Sequence, residues 1–242
     1  MLGLADVNVR SLGECKVRSP LRLSNRFGDG SVDFVPDGAG VRYQIERWPG
    51  QPAGDEVFLE KAGPREWLYF DPVRVKAAVV TCGGLCPGLN NVIRSLFMEL
   101  HHNYGVREIL GVRFGYGGLD PSSPGGERPI LLTHDYVNDI HKLGGTVLGS
   151  SRGPVDPKVA VDFLAGEGVN QLYCIGGDGT QRGAHALAEE TLRRGLGLAV
   201  VGIPKTIDND IPHVSRTFGY YTAMAEARRV IDSAHFEAKG VV

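Results

Sequence analysis

Two short segments concentrate the side chains that could do chemistry: Gly176-Gly177-Asp178-Gly179-Thr180 and Pro204-Lys205-Thr206-Ile207-Asp208-Asn209-Asp210. The first sets a carboxylate in a glycine-rich turn, where bare backbone N–H groups can approach phosphate oxygens and the carboxylate can hold Mg²⁺. The second gathers two carboxylates, a hydroxyl and an ammonium. One of those carboxylates can take a proton from an attacking hydroxyl. These residue types suit transfer of a phosphoryl group to an alcohol. Asp208 and Asp210 would also serve as plain turn residues or caps, and Thr180 can cap a following helix.

Two further turns belong to the same chemistry. Thr81 to Asn90 carries Gly83, Gly84 and Gly88 and reads as a cradle of backbone donors at a helix start, or as an ordinary tight turn. It is not a P-loop, because no Gly-Lys-Ser/Thr closes it. Gly149-Ser150-Ser151-Arg152-Gly153 offers one arginine that could offset charge on a moving phosphoryl group; a solvated surface arginine is the plainer alternative. Gln181-Arg182 and Arg228-Arg229 read as solvated helix faces and receive no role.

The elements that must position these turns follow from periodicity. Ala77–Thr81, Ile109–Val112, Thr146–Leu148, Gln171–Ile175 and Leu198–Ile203 are short apolar runs, as expected of strands buried on both faces. Asn90–Tyr104, Asp135–Leu143, Pro157–Gly166, Thr180–Arg194 and Thr217–Phe236 carry helical periodicity, with Thr133 or His134 and then Asp156 and Pro157 as start signals. Alternating strands and helices predict an α/β fold with a doubly wound, mainly parallel sheet, whose ligands sit at the carboxyl ends of the strands. Every motif above falls at such an end. Residues 1–75 differ: Asn25–Gly30 and Trp48–Pro52 break every apolar run, which predicts a loop-rich N-terminal extension before a domain spanning 76–242.

Composition narrows the partners. The 242 residues carry a net charge of −2, with no basic run to meet nucleic acid or an anionic membrane. No apolar stretch approaches the roughly 20 residues of a membrane span. Cys15, Cys82, Cys86 and Cys174 read as reduced thiols of a cytoplasmic protein, and neither they nor the scattered histidines show metal spacing.

Taken in order, four segments resemble the phosphofructokinase family from about Lys76 onward: Gly83-Gly84-x-x-Pro87-Gly88-x-Asn90, Gly144-Gly145-Thr146-x-Leu148-Gly149-Ser150-x-Arg152, and the two segments first described. The variant Gly-Gly-Asp-Gly-Thr-Gln-Arg-Gly with Pro-Lys-Thr-Ile-Asp-Asn-Asp is most similar to its plant and protist branch, which carries an extra N-terminal segment. The resemblance implies the nucleotide-binding half of that fold and an ATP-dependent 6-phosphofructokinase acting in glycolysis on fructose 6-phosphate. Asp208 would then be the base. Thr206 and Arg152 would contact the phosphoryl group, with Ile207 beside the sugar phosphate. Asp178 would hold Mg²⁺, with Asp210 a lesser candidate. Gly83, Arg152, Gly153, Gly177, Asp178, Gly179 and Thr180 would line the ATP site. Gly179 and Lys205 mark donor choice. Pyrophosphate users usually carry Asp at the first, so glycine implies ATP, while the lysine fits either donor.

Family members continue into a second lobe with a Met-Gly-Arg segment, whereas this sequence ends at Gly240-Val241-Val242. The expectation is a fragment with little activity alone, drawn from a homo-oligomeric cytoplasmic enzyme, or a plastid one if a targeting segment is missing. A pyrophosphate-dependent enzyme and an inactive nucleotide-binding or regulatory subunit are the alternatives.

Overall fold

The computed structural model describes residues 9–43, 49, 56–212 and 214–240. Trp48 and residues 50–52 of the second interrupted run, and the terminal Val241 and Val242, lie outside the described residues. The chain divides into two compact units, Met1–Asp71 and Pro72–Val242.

In the first unit, proline and glycine keep the strands short. They are β1 (Val17–Arg18), β2 (Gly40–Arg42), β3 (Phe58–Glu60) and β4 (Trp67–Leu68). β1 pairs antiparallel with β4, and β2 with β3. Arg65 ties this unit internally, donating to the carbonyls of Val35, Pro36 and Lys61.

The second unit runs β5 (Lys76–Thr81), α1 (Leu89–Met98), β6 (Glu108–Val112), β7 (Ile130–Leu131), α2 (His134–Val137), α3 (Pro157–Gly166), β8 (Gln171–Gly176), α4 (Asp178–Arg193), β9 (Ala199–Pro204) and α5 (Tyr220–Gly240). Its sheet has the order β7-β6-β5-β8-β9, parallel throughout except for β7 at the edge. Ala77, Ala78, Val79 and Val80 are fully buried, which is why β5 reads as unbroken apolar sequence. Ala78, Val80, Leu110, Val112, Leu172 and Cys174 pack with Ala160, Val161 and Leu164 of α3 and Ala184 and Leu187 of α4. The alternate positions Ala77, Val79, Ile109 and Ile175 are buried on the opposite face, with Ile93 and Phe97 of α1 buried as well.

Right-handed crossovers produce this arrangement. The β5–α1–β6 unit winds to one side of β5, and the chain then returns so that β8 and β9 wind to the other. The strand order therefore reverses between β5 and β8, and a crevice opens beyond their carboxyl ends.

Several expectations need correction. Thr146–Leu148 is a turn, because Leu148 buries its side chain fully while its carbonyl accepts from Phe114 N at 2.9 Å. The fifth strand is instead Ile130–Leu131. The Asp135–Leu143 helix breaks into α2 and a 3₁₀ turn at Ile140–Lys142, although Thr133 caps it as expected, accepting from Tyr136 N at 3.2 Å. α1 ends in a π-helical turn, Glu99–Asn103. α4 begins at Asp178 with Gly177 as its cap residue, so Thr180 lies inside the helix and caps nothing. α3 starts as anticipated, with Asp156 accepting from Lys158 N at 2.9 Å and Pro157 in the first turn.

Candidate active site

The crevice beyond β5, β8 and β9 is a cleft of about 860 Å³. Gly83, Arg152, Gly153, Gly177, Asp178, Gly179, Thr180, Lys205, Thr206, Ile207, Asp208 and Asp210 all line it. The structure thus brings every candidate site residue to one space, including Asp178 and Asp208 from adjacent strand ends.

Each turn is fixed by its own hydrogen bonds. Gly83 holds φ +80° and donates its N–H to Ser151 O at 3.0 Å, while its carbonyl accepts from Ser150 Oγ at 2.6 Å. Its amide is therefore committed to the arginine turn, and the cradle expected of Gly83 is a brace between two loops. Arg152 makes no hydrogen bond or ion pair among the described residues and is exposed at the cleft. Lys205 is 3% exposed and donates through Nζ to Gly84 O. It forms no ion pair among the described residues. Burial holds its ammonium below the ordinary lysine range. Two cations with no carboxylate bound to them favour an anion in the cleft.

α4 starts without a side-chain cap, so the N–H groups of its first turn remain for a ligand. Thr180 is buried, and its side chain fills the space a Cβ on Gly176 would need. Gly179 is different. A Cβ there would meet nothing within 4 Å, and its φ is not left-handed. Neither packing nor backbone conformation requires glycine at this position, and the missing side chain leaves the cleft open there. After β9, Thr206 Oγ1 accepts from Asp208 N at 3.1 Å and lies 3.5 Å from Asp208 Oδ2, so hydroxyl and carboxylate turn together toward the cleft.

Sequence reasoning missed part of the lining. Arg182, assigned to a solvated face, pairs with Asp178 at 2.7 Å one helical turn away and borders the cleft. Gly183 and Leu187 line it too, and their spacing from Thr180 on one face of α4 was a usable signal. Tyr116 had none. It arrives from a 3₁₀ turn at Gly115–Leu119 and donates its hydroxyl to Thr180 O at 2.7 Å. Gly183 leaves room for its ring.

Among the described residues no group of three or more His, Cys, Asp or Glu could cage a metal. Asp178 alone, with water and phosphate oxygens, matches the way Mg²⁺ is held by one or two carboxylates plus substrate.

Known proteins share much of this sequence. The phosphofructokinase family model matches residues 76–241. The ATP-dependent 6-phosphofructokinase of Borreliella burgdorferi is 49% identical over 237 residues, 96% of this chain and 52% of that protein. The ATP-dependent 6-phosphofructokinase 7 of Arabidopsis thaliana is 52% identical over 183 residues, 76% of this chain and 37% of that protein. The chain thus spans about half the length, or less, of these curated relatives. Among solved structures, phosphofructokinase from Saccharomyces cerevisiae superposes with a TM-score of 0.57 at 27% identity, over 68% of this chain and 24% of that one.

Proposed function

This chain belongs to the phosphofructokinase family, and we propose that it forms the nucleotide-binding half of an ATP-dependent 6-phosphofructokinase, passing the γ-phosphoryl group of ATP to the 1-hydroxyl of fructose 6-phosphate. The observation that carries this reading is the cleft shared by Asp178, Gly179 and Asp208. Asp208 takes the proton of the attacking hydroxyl. The new O–P bond then forms in line as the bond to the bridging oxygen breaks, and ADP leaves. Arg152 and Thr206 meet the equatorial oxygens of the moving group, and the Arg152 guanidinium, without a partner among the described residues, gives up no hydrogen bond to do so. The first turn of α4 receives the polyphosphate, and Ile207 borders the sugar phosphate. Asp178 would hold Mg²⁺, with Asp210 as a secondary ligand; the ion supplies charge neutralisation at the phosphates.

The N-terminal 75 residues are an extension to this machinery. Full-length molecules are proposed to be cytoplasmic homo-oligomers. Among the described residues no helix is long and apolar enough to cross a membrane.

Lys205 favours a second reading, since a buried ammonium in the cleft also suits pyrophosphate. Gly179 supports ATP over pyrophosphate, because no side chain fills the cleft there. The test is calorimetric binding of Mg·ATP and Mg·pyrophosphate to the purified chain. ADP formation with fructose 6-phosphate is then measured on this chain and on a chimera that continues into the remainder of the Borreliella protein. Preference for ATP is expected, and Asp208→Ser should abolish transfer in the chimera while Mg·ATP still binds. Equal loss of binding and transfer would make Asp208 a structural residue and sink the assignment.

A further inference from the structure

The turn that carries Asp208 is shaped from behind. We propose that Asn209 is a positioning residue, which sets the place of the Asp208 carboxylate through a clasp on Thr217. The inference rests on Asp208 being the base of the reaction proposed above.

Asn209 sits between two carboxylates that line the cleft, yet does not line it itself. It is one of two non-glycine residues with positive φ among the described residues, at +52°. In that left-handed conformation its Oδ1 accepts from Thr217 N at 2.8 Å and lies 3.3 Å from the Thr217 hydroxyl, while Nδ2 donates to Ser215 O at 3.4 Å. Thr217 is 2% exposed, and its Oγ1 donates to Thr206 O at 2.7 Å. Thr206 Oγ1 in turn accepts from Asp208 N. The bonds therefore close a ring through 206, 208, 209 and 217.

The ring is anchored on both sides. Lys205 bridges to Phe218, whose carbonyl accepts from Cys86 Sγ at 3.1 Å in the turn after β5. Asp208 itself is exposed, and its described hydrogen bonds run only to Thr206. Its position is thus inherited from this frame.

Residue type at 209 follows from two demands. Asparagine tolerates the left-handed region better than other side chains, and its carboxamide closes the ring. Glycine would meet the first demand alone and alanine neither. A base must be held within a few tenths of an ångström of its reactive position for transfer to be efficient.

The experiment compares Asn209→Ala, Asn209→Gly, Thr217→Val and Thr217→Ser with the parent by hydrogen exchange and Mg·ATP calorimetry on the 242-residue chain, and by turnover with fructose 6-phosphate in the chimera described above. Asn209→Ala, Asn209→Gly and Thr217→Val should each speed exchange across 206–217 by about tenfold or more, with β5 and β8 unchanged. Thr217→Ser, which keeps the hydroxyl, should match the parent. Mg·ATP affinity should stay within about threefold, and kcat should fall by about tenfold or more with KM for ATP unchanged. Parent-like exchange in Asn209→Gly would mean that only the backbone conformation matters, and would overturn the clasp. Acceleration extending through β5 and β8 would overturn it too, as a fold-wide effect. Failure of the parent to bind Mg·ATP, or of the unsubstituted chimera to transfer a phosphoryl group, would count against the proposed reaction, and exchange would still decide the clasp.

Discussion

Arg182 grips the carboxylate of Asp178 at 2.7 Å across one turn of α4, at the mouth of the cleft. The carboxylate proposed for Mg²⁺ is thus already paired, and a metal–nucleotide must displace the guanidinium. An exposed pair at this spacing contributes about 0.3–0.5 kcal/mol, a factor of about two in an equilibrium constant. Arg182→Gln should therefore tighten Mg·ATP binding by about twofold, whereas Asp178→Asn should weaken it by about tenfold or more. Calorimetry reads both. Unchanged Mg·ATP affinity in Asp178→Asn would remove Asp178 from the metal role.

Gly179 offers a cleaner separation of folding from binding. Because an added side chain meets nothing within 4 Å, Gly179→Asp should leave the melting temperature within about 3 °C of the parent. The new carboxylate would project into the cleft and repel the nucleotide, so Mg·ATP binding should fall steeply while Mg·pyrophosphate binding persists. A variant that binds ATP as well as the parent would show that donor choice lies elsewhere.

The thiols give an alkaline signature. Burial pushes Cys82 and Cys174 up to about 12, from 9.0 for an unburied thiol. A raised folded value contributes stability fully below the unfolded value and loses it as pH climbs through the folded one. Unfolding free energies from denaturant titration should hold up to about pH 9 and then decline, by about 1.4 kcal/mol per pH unit for each thiol between 9 and 12. Cys15 is exposed and Cys86 is buried. In the native chain at pH 8, one thiol of four should therefore react promptly with an alkylating reagent, as mass spectrometry would record.

An acidic signature comes from Glu190. It accepts from Arg193 Nε and Nη2 at 2.7 Å and from Arg194 Nε at 2.6 Å, and these bonds depress its carboxyl to about 2. Arg194 also pairs with Asp162 and donates to Lys158 O, so the cluster ties α4 to α3. A lowered folded value contributes stability above the unfolded value of 4.5 and loses it as pH falls toward about 2. Urea midpoints of the parent should drop between pH 5 and pH 2.5, and Glu190→Gln should flatten that slope. An identical slope in the variant would place acid sensitivity elsewhere.

Local chemistry wrote much of this into the chain. β5, β6 and β8 were legible because strands buried on both faces must be apolar throughout, whereas β9 is apolar in composition but lies at the sheet edge with Val201 and Gly202 exposed. α3 was legible to its first residue, because Asp156 and Pro157 are start signals that act within one turn. The site segments were visible for the same reason: glycine turns and acidic strand ends are properties of a few consecutive residues. The strand at Thr146–Leu148 misled because a buried leucine in a turn has the composition of a strand, and only packing under β6, where Gly111 leaves space for Leu148, distinguishes them.

What tertiary structure alone decided is how separate turns meet. No spacing announces that Tyr116 reaches Thr180, that Gly83 spends its amide on Ser151, or that Lys205 crosses to Gly84. These partners come from different strand ends, set side by side by the order β6-β5-β8-β9. Residue type and short-range periodicity determined which groups could act. The reversal of strand order between β5 and β8 determined that they share one cleft, because hydrogen-bond register across a sheet joins residues far apart in the chain.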